Sequence, residues 1–201
     1  MALPSNEISV VPQYAPFLEP DSEDTRLYDS LEEGGVAIND ATQGRLVNAW
    51  RCWIEGGTSV RVGIEPDPEP GTELFVGVAI DAVSLAWDSN MAPTIAYRDE
   101  GVWKLRWYNS LTEAFQIDSY PTVTSARVST DDKRETQEGA SDVIFAYTIG
   151  EAPDGVLYWR QQRDRYLTEY TVGAAGRQLL RTVGMNAGNR LQFELVDPED
   201  L

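Results

Sequence analysis

The chain contains no histidine and a single cysteine, Cys52. Without histidine there is no Ser-His-Asp or Cys-His arrangement, and the usual zinc ligand is missing. One cysteine can form no internal disulfide and cannot build a structural zinc site. Lying between Trp50 and Trp53, it reads as a small residue in or near a core. Basic residues are also scarce, 16 Lys and Arg against 33 Asp and Glu, for a net charge of −17. A surface of that sign repels phosphate backbones, so DNA and RNA are not expected partners; the charge serves solubility or docking onto a basic partner. No run of 18 apolar residues offers a membrane-spanning helix. The opening MALPSNEISVVPQYAP has no basic segment followed by a long apolar one. A signal peptide is therefore not expected, and the chain is expected to be made and assembled in a cytoplasm. No glycine pattern opens a helix after a strand, which removes a phosphate-cradling loop.

Apolar and aromatic residues are plentiful: 42% hydrophobic, with 6 Trp, 9 Tyr and 5 Phe in 201 residues. That is enough for a real core in one or two domains. The apolar residues fall in short runs. Val143 to Tyr147, Val156 to Trp159 and Tyr166 to Val172 are rich in β-branched and aromatic residues and bounded by Gly, Pro and Asp. They predict three consecutive antiparallel strands. Further strands are expected at 35–40, 45–53, 59–64, 75–80, 83–87, 94–97, 103–108, 115–117, 123–128, 179–183 and 191–196, with GAAG after Gly173 as a loose turn. No stretch is long and periodic enough for a convincing helix. In Trp103 to Tyr108, residues two apart share a face, so Trp103, Leu105 and Trp107 form a buried row and Lys104, Arg106 and Tyr108 a wet one.

A pattern recurs along these runs. Ala96-Tyr97 leads through a turn into Val102 to Trp107, and Ala146-Tyr147, about 50 residues on, leads into Val156 to Trp159. Ala49-Trp50, leading into Val60 to Gly63, is a weaker copy. Repeats of about 40 to 50 residues with several short strands each are typical of β-propeller blades. The expected fold is therefore all-β: antiparallel short-strand meanders, arranged as blade-like repeats or a sandwich. Residues 34–201 would form this domain with about three blade-like units. A closed propeller needs about four to eight blades. Either the arrangement is open, or copies complete one another's sheets in an oligomer.

Residues 1–33 read as an irregular N-terminal arm. Pro4, Pro12, Pro16 and Pro20 interrupt helix and central strand alike. Val10, Val11, Tyr14, Phe17 and Leu18 are more apolar than a solvated tail requires, so the arm is either a tail or a segment that orders against a neighbouring chain. Tyr14, Phe17 and Leu18 are candidate partner-binding residues. So are Arg160, Arg163 and Arg165, in the one basic concentration of an acidic chain, which reads as a polar strand end or as an interface segment. Acidic runs at Glu65 to Glu69 and Asp131-Asp132 offer oxygen ligands but lack a calcium-loop spacing, and read as solvated loops. No catalytic, cofactor or metal residue emerges, and the chain is expected not to be an enzyme. The tryptophans read as core, with a carbohydrate-stacking platform as the alternative.

Several segments carry a resemblance. AIDAVSLAWDSNMAPTIAYRDEGVWKLRWYNS, Asp131 to Arg134 (DDKR), Ser141-Asp142, Tyr158 to Tyr166 (YWRQQRDRY) and Gly184 to Leu195 (GMNAGNRLQFEL) resemble a group of tailed-bacteriophage virion structural proteins, over about residues 35 to 196. The resemblance, to a family similar to propeller-bearing tail components, implies a structural part of the virion without carrying over its place in the particle; the expected place is near the tail tip, hub or fibre attachment. The resemblance also implies a non-enzymatic role and other virion tail proteins, including copies of itself, as partners. The alternative is a receptor- or glycan-binding β-module on the virion that meets a host-surface glycan.

Overall fold

The computed structural model describes residues 33–39, 48–64, 70–88, 92–131, 142–150, 154–185 and 191–197. Among the described residues, fourteen strands follow one another in simple antiparallel meanders. The first sheet runs β1 (Glu33–Asn39), β2 (Asn48–Glu55), β3 (Ser59–Ile64), β4 (Thr72–Val76), in that spatial order. The second runs β5 (Ile80–Trp87), β6 (Pro93–Asp99), β7 (Val102–Asn109), β8 (Ala114–Tyr120). The third runs β9 (Val123–Asp131), β10 (Asp142–Ile149), β11 (Gly155–Gln161), β12 (Tyr170–Gly176). The chain then adds a two-stranded sheet, β13 (Leu179–Met185) with β14 (Leu191–Val196). The fold is all-β. The recurring sequence pattern is the passage from second to third strand in each complete sheet: β2 to β3, β6 to β7, β10 to β11.

Local chemistry sets the turns. Asp99 pairs with Val102, so Glu100-Gly101 forms a two-residue hairpin connection with φ of 53° and 76°. Two left-handed residues match the twist of the flanking strands. On β7, Trp103, Leu105 and Trp107 are buried while Lys104, Arg106 and Tyr108 are partly exposed, which is the alternation expected.

The sheets are joined through their first strands: β1 packs on β5, β5 on β9, and β9 on β13. Between the first and second sheets lie Cys52, Val60 and Val62 against Val83, Leu85, Ile95 and Tyr97. Between the second and third, Ala82, Ala96, Trp103 and Leu105 meet Val128, Val143, Phe145 and Tyr147. Between the third and the hairpin, Ala146, Leu157 and Ala175 meet Leu180 and Val183. Alanines on β5, β6 and β9 let the inner strands approach. Two hydrogen bonds fasten them: Ser84 Oγ on β5 accepts the Val128 N–H of β9 at 3.1 Å, and Ser125 Oγ on β9 accepts the Leu180 N–H of β13 at 2.7 Å. Each hydroxyl satisfies a backbone donor that its own sheet leaves unpaired and that burial would otherwise make costly.

Three expectations are corrected. Residues 75–80 are not one strand, because the Asp99 carboxylate accepts the Val78 and Ala79 N–H groups at 3.0 and 2.9 Å and turns the chain between β4 and β5. Residues 166–172 are not one strand either: a 3₁₀ turn at Gln162–Asp164 and left-handed Arg165 and Tyr166 delay β12 to Tyr170. The GAAG segment, expected as a loose turn, continues β12 through Gly176, where Gly155 meets the Gly176 carbonyl too closely to leave room for a Cβ. Among the described residues the strands form three complete sheets and a two-stranded fourth.

Candidate functional site

The densest polar cluster lies where the third sheet turns back onto the second. Arg160 on β11 stands opposite Phe145 on β10, and so shares a face with Phe145 and Tyr147. Its Nε donates to the Tyr147 hydroxyl at 2.7 Å, one Nη to the Tyr166 carbonyl at 2.8 Å, and the other to Glu169 Oε2 at 2.9 Å. The Tyr147 hydroxyl donates to the same Glu169 oxygen. The guanidinium carbon lies 5.7 and 5.9 Å from the Tyr120 and Tyr147 ring centroids, within cation–π range. A ladder of rings, Tyr120, Phe145, Tyr147 and Tyr158, continues from there with neighbouring centroids 4.9 to 5.9 Å apart.

The segment Gln161 to Glu169 brings these groups together. Arg165 N–H donates to the Gln162 carbonyl at 2.7 Å and Tyr166 N–H to the Gln161 carbonyl at 3.0 Å, with φ of 61° and 59° at Arg165 and Tyr166. Left-handed backbone at two successive non-glycine residues costs about 1–3 kcal/mol each. Burial of the Tyr166 ring offsets it: the ring packs edge-on to Trp107 of the second sheet, centroids 5.3 Å apart. From the same turn Gln162 Nε2 donates to Asp88 Oδ2, at the end of β5, at 3.0 Å. The turn is thus a clasp between two sheets.

The electrostatics suit a latch. Burial pushes the Tyr147 phenol far up, with its bond to Glu169 adding to the rise and Arg160 opposing it. Tyr120 is pushed up to about 12, first by burial and then by Asp118. Glu169 is held below the usual carboxylate range by the Tyr147 hydroxyl and then by Arg160. Burial works against the Arg160 charge, but the bonds to Tyr147 and Glu169 outweigh it and leave the guanidinium more basic than usual. At neutral pH a fixed cation, a fixed anion and a neutral phenol hold one another in place. A second such knot joins Asp99 to Lys104 Nζ at 2.9 Å; burial raises the Asp99 carboxyl, but the Ala79, Lys104 and Val78 bonds bring it below its ordinary value.

Of the residues singled out in the sequence, Arg160 is the hub of this cluster, bonded within its own sheet. Arg163 and Arg165 are exposed on the turn. Tyr14, Phe17 and Leu18, with the rest of the arm, lie outside the described residues, as do the side chains of Glu65 to Glu69, Asp131 and Asp132. Among the described residues no three Cys, Asp or Glu side chains converge as a metal site would need, and no helix is long and apolar enough to cross a membrane. Trp87, Trp103 and Trp107 are buried, and the half-buried Trp159 stacks on Tyr170 at 4.4 Å. Sequence spacing gave no hint of Glu169 and Tyr147, because the strained turn and the strand register bring them to Arg160.

Comparison with known proteins gives no match: no family model, curated protein or solved structure is significantly similar to the chain.

Outer strands are the other feature of note. Val76 on β4, Phe115 and Ile117 on β8, and Val172 on β12 are large apolar side chains left exposed at the rim of each complete sheet.

Proposed function

We propose that the chain is a non-enzymatic structural component of a tailed-phage virion, seated in the tail at the tip, hub or fibre-attachment region and holding neighbouring tail proteins, including copies of itself. The observation that carries the reading is the rim: every complete sheet ends in an outer strand with exposed apolar side chains, Val76, Phe115, Ile117 and Val172. Open strand edges bearing apolar residues are surfaces that other strands cover. The inner seams supply the rigidity a particle component needs, since their polar groups are committed to one another. The resemblance of the β5–β7, β10–β11 and β13–β14 segments to virion proteins points the same way. A glycan-binding role is less well supported, because Trp87, Trp103 and Trp107 are buried and Trp159 is covered by Tyr170.

The test is peptide mass spectrometry of purified tailed particles from a phage that encodes the chain. The chain is expected in the tail fraction at stoichiometric amounts, and Ile117→Lys with Val172→Lys is expected to lower its incorporation while the isolated protein stays folded. A chain found only in the lysate and never in particles would sink the reading.

A further inference from the structure

The outer strands of the three complete sheets are not alike. On β4, Leu74 has no opposite residue on β3, and on β12, Val172 and Ala175 have none on β11. Such extra residues bend an edge and spoil it for further pairing. β8 has no interruption of this kind: all seven residues from Ala114 to Tyr120 pair with β7 in one register. It holds no proline, lysine or glycine that would guard the edge. β14 is also free of extra residues, but none of its described side chains is a large apolar group left exposed. On β8, Phe115 and Ile117 are 40% and 56% exposed and share one face. Phe115 is held in place: the Arg106 guanidinium carbon lies 3.6 Å from its ring centroid, and the Tyr108 ring meets it edge-on, centroids 5.5 Å apart.

We infer that β8 is a dimerisation edge, covered by β8 of a second copy in antiparallel pairing about a two-fold axis at Ile117. A two-fold sets residues equally far from Ile117 opposite one another. Ile117 then meets Ile117, Gln116 meets Asp118, Phe115 meets Ser119 and Ala114 meets Tyr120, so every residue of the strand finds a partner. The sequence of β8 suits its own reversal. Asp118 is the one charged residue of the strand, and one of its oxygens accepts the Trp107 indole N–H at 2.7 Å. The second copy's Gln116 amide brings a donor to the other oxygen, once on each side of the axis. An axis at Asp118 would set two carboxylates against each other, which is unfavourable. An axis at Gln116 would leave Ser119 and Tyr120 opposite the turn before β8. With the axis at Ile117, the two Ile117 side chains and, on the diagonals, the two Phe115 rings form one apolar patch. Copies of a chain of net charge −17 thus meet through residues that carry little of that charge. The pairing joins two four-stranded sheets into one. The inference rests on the proposed function only in taking the rim as a covered surface, and not on a virion.

Sedimentation of the full-length chain tests this. A species of about twice 22.4 kDa is expected at high micromolar concentration. Ile117→Lys sets like charges opposite each other at the axis and is expected to weaken dimerisation about tenfold or more. Its far-UV circular dichroism should match the parent's, because Ile117 is exposed. Val172→Lys, on an interrupted edge, is expected to dimerise like the parent. The register has its own test. A short bis-maleimide should join Ile117→Cys chains in pairs quickly and Ser119→Cys chains slowly, since position 117 meets itself and position 119 does not. A parent that stays monomeric, an Ile117→Lys variant that dimerises as the parent does, or equally fast joining of the two cysteine variants would each overturn the inference. None of these readouts involves a particle, so they stand or fall apart from the virion reading.

Discussion

The Ser84 hydroxyl, on the first strand of the second sheet, accepts the Val128 N–H from the first strand of the third at 3.1 Å. Both groups are buried, so the bond ties two separate hydrogen-bond ladders together. Ser84→Ala strands the donor and is expected to cost about 1–3 kcal/mol. Ser110→Ala, on an exposed turn, should stay within about 0.5 kcal/mol. Urea midpoints compare the two; equal midpoints would show that the seam does not depend on this bond.

The Arg160–Glu169 pair is half-exposed, and exposed pairs contribute little. A double-mutant cycle is expected to give a coupling of about 0.5–1 kcal/mol. Arg160→Ala alone should cost more than that coupling, because it also strips the Tyr147 hydroxyl and the Tyr166 carbonyl of their donor. Equal losses for Arg160→Ala and Arg160→Lys would support hydrogen-bond geometry over charge, since lysine keeps the charge and loses the fork.

The carboxyls of Asp99 and Glu169 are both depressed in the folded chain. Groups with folded pKa values below their unfolded ones contribute stability that is full above the ordinary carboxylate value of about 4 and lost as pH falls through the folded value. Melting temperature is therefore expected to drop with acidification below about pH 4. Asp99→Asn should be less stable at neutral pH and show a shallower acid slope. A variant with the parent's slope would remove Asp99 from the account.

Much of the fold was legible before the structure. The Ala-Tyr and Ala-Trp repeats mark the second strand of each complete sheet, and the alternation on β7 follows from Trp103, Leu105 and Trp107. The division of Phe145, Tyr147, Leu157 and Trp159 between two cores was not. Tyr147 pairs with Tyr158 while Trp159 pairs with Ala146, so the four divide by parity between the two faces of the third sheet. A short strand buried on both faces gives no alternation from which to read the division. The clasp at Arg165-Tyr166 was equally hidden, because nothing local favours a left-handed tyrosine; the ring of Trp107, remote in sequence, stabilises it.

That division changes what tryptophan substitutions should do. Trp103 is 1% exposed, and Trp103→Ala is expected to cost about 3–5 kcal/mol. Trp159 is half-buried against Tyr170, and Trp159→Ala should cost clearly less. Calorimetry that ranks them the other way would place the main core in the third seam.

Cys52 is fully buried, and burial pushes its thiol well above the ordinary range. The native protein should resist thiol reagents at pH 8 and react at once on unfolding. Rapid labelling of the native chain would reveal an open path to the first seam.

Every complete sheet is a meander of strands consecutive in the chain, so almost all pairing is between near neighbours in sequence. Ordering each sheet therefore closes only the short loops between consecutive strands. During synthesis the first sheet has all its strands once Val76 has emerged, and the second once Tyr120 has. The seams are different: the Ser84 hydroxyl is in place before its donor, Val128, has been translated, and Ser125 likewise precedes Leu180. Growth is thus directional, each finished sheet presenting a waiting acceptor to the next, so that the nascent chain is templated from its first sheet to its last.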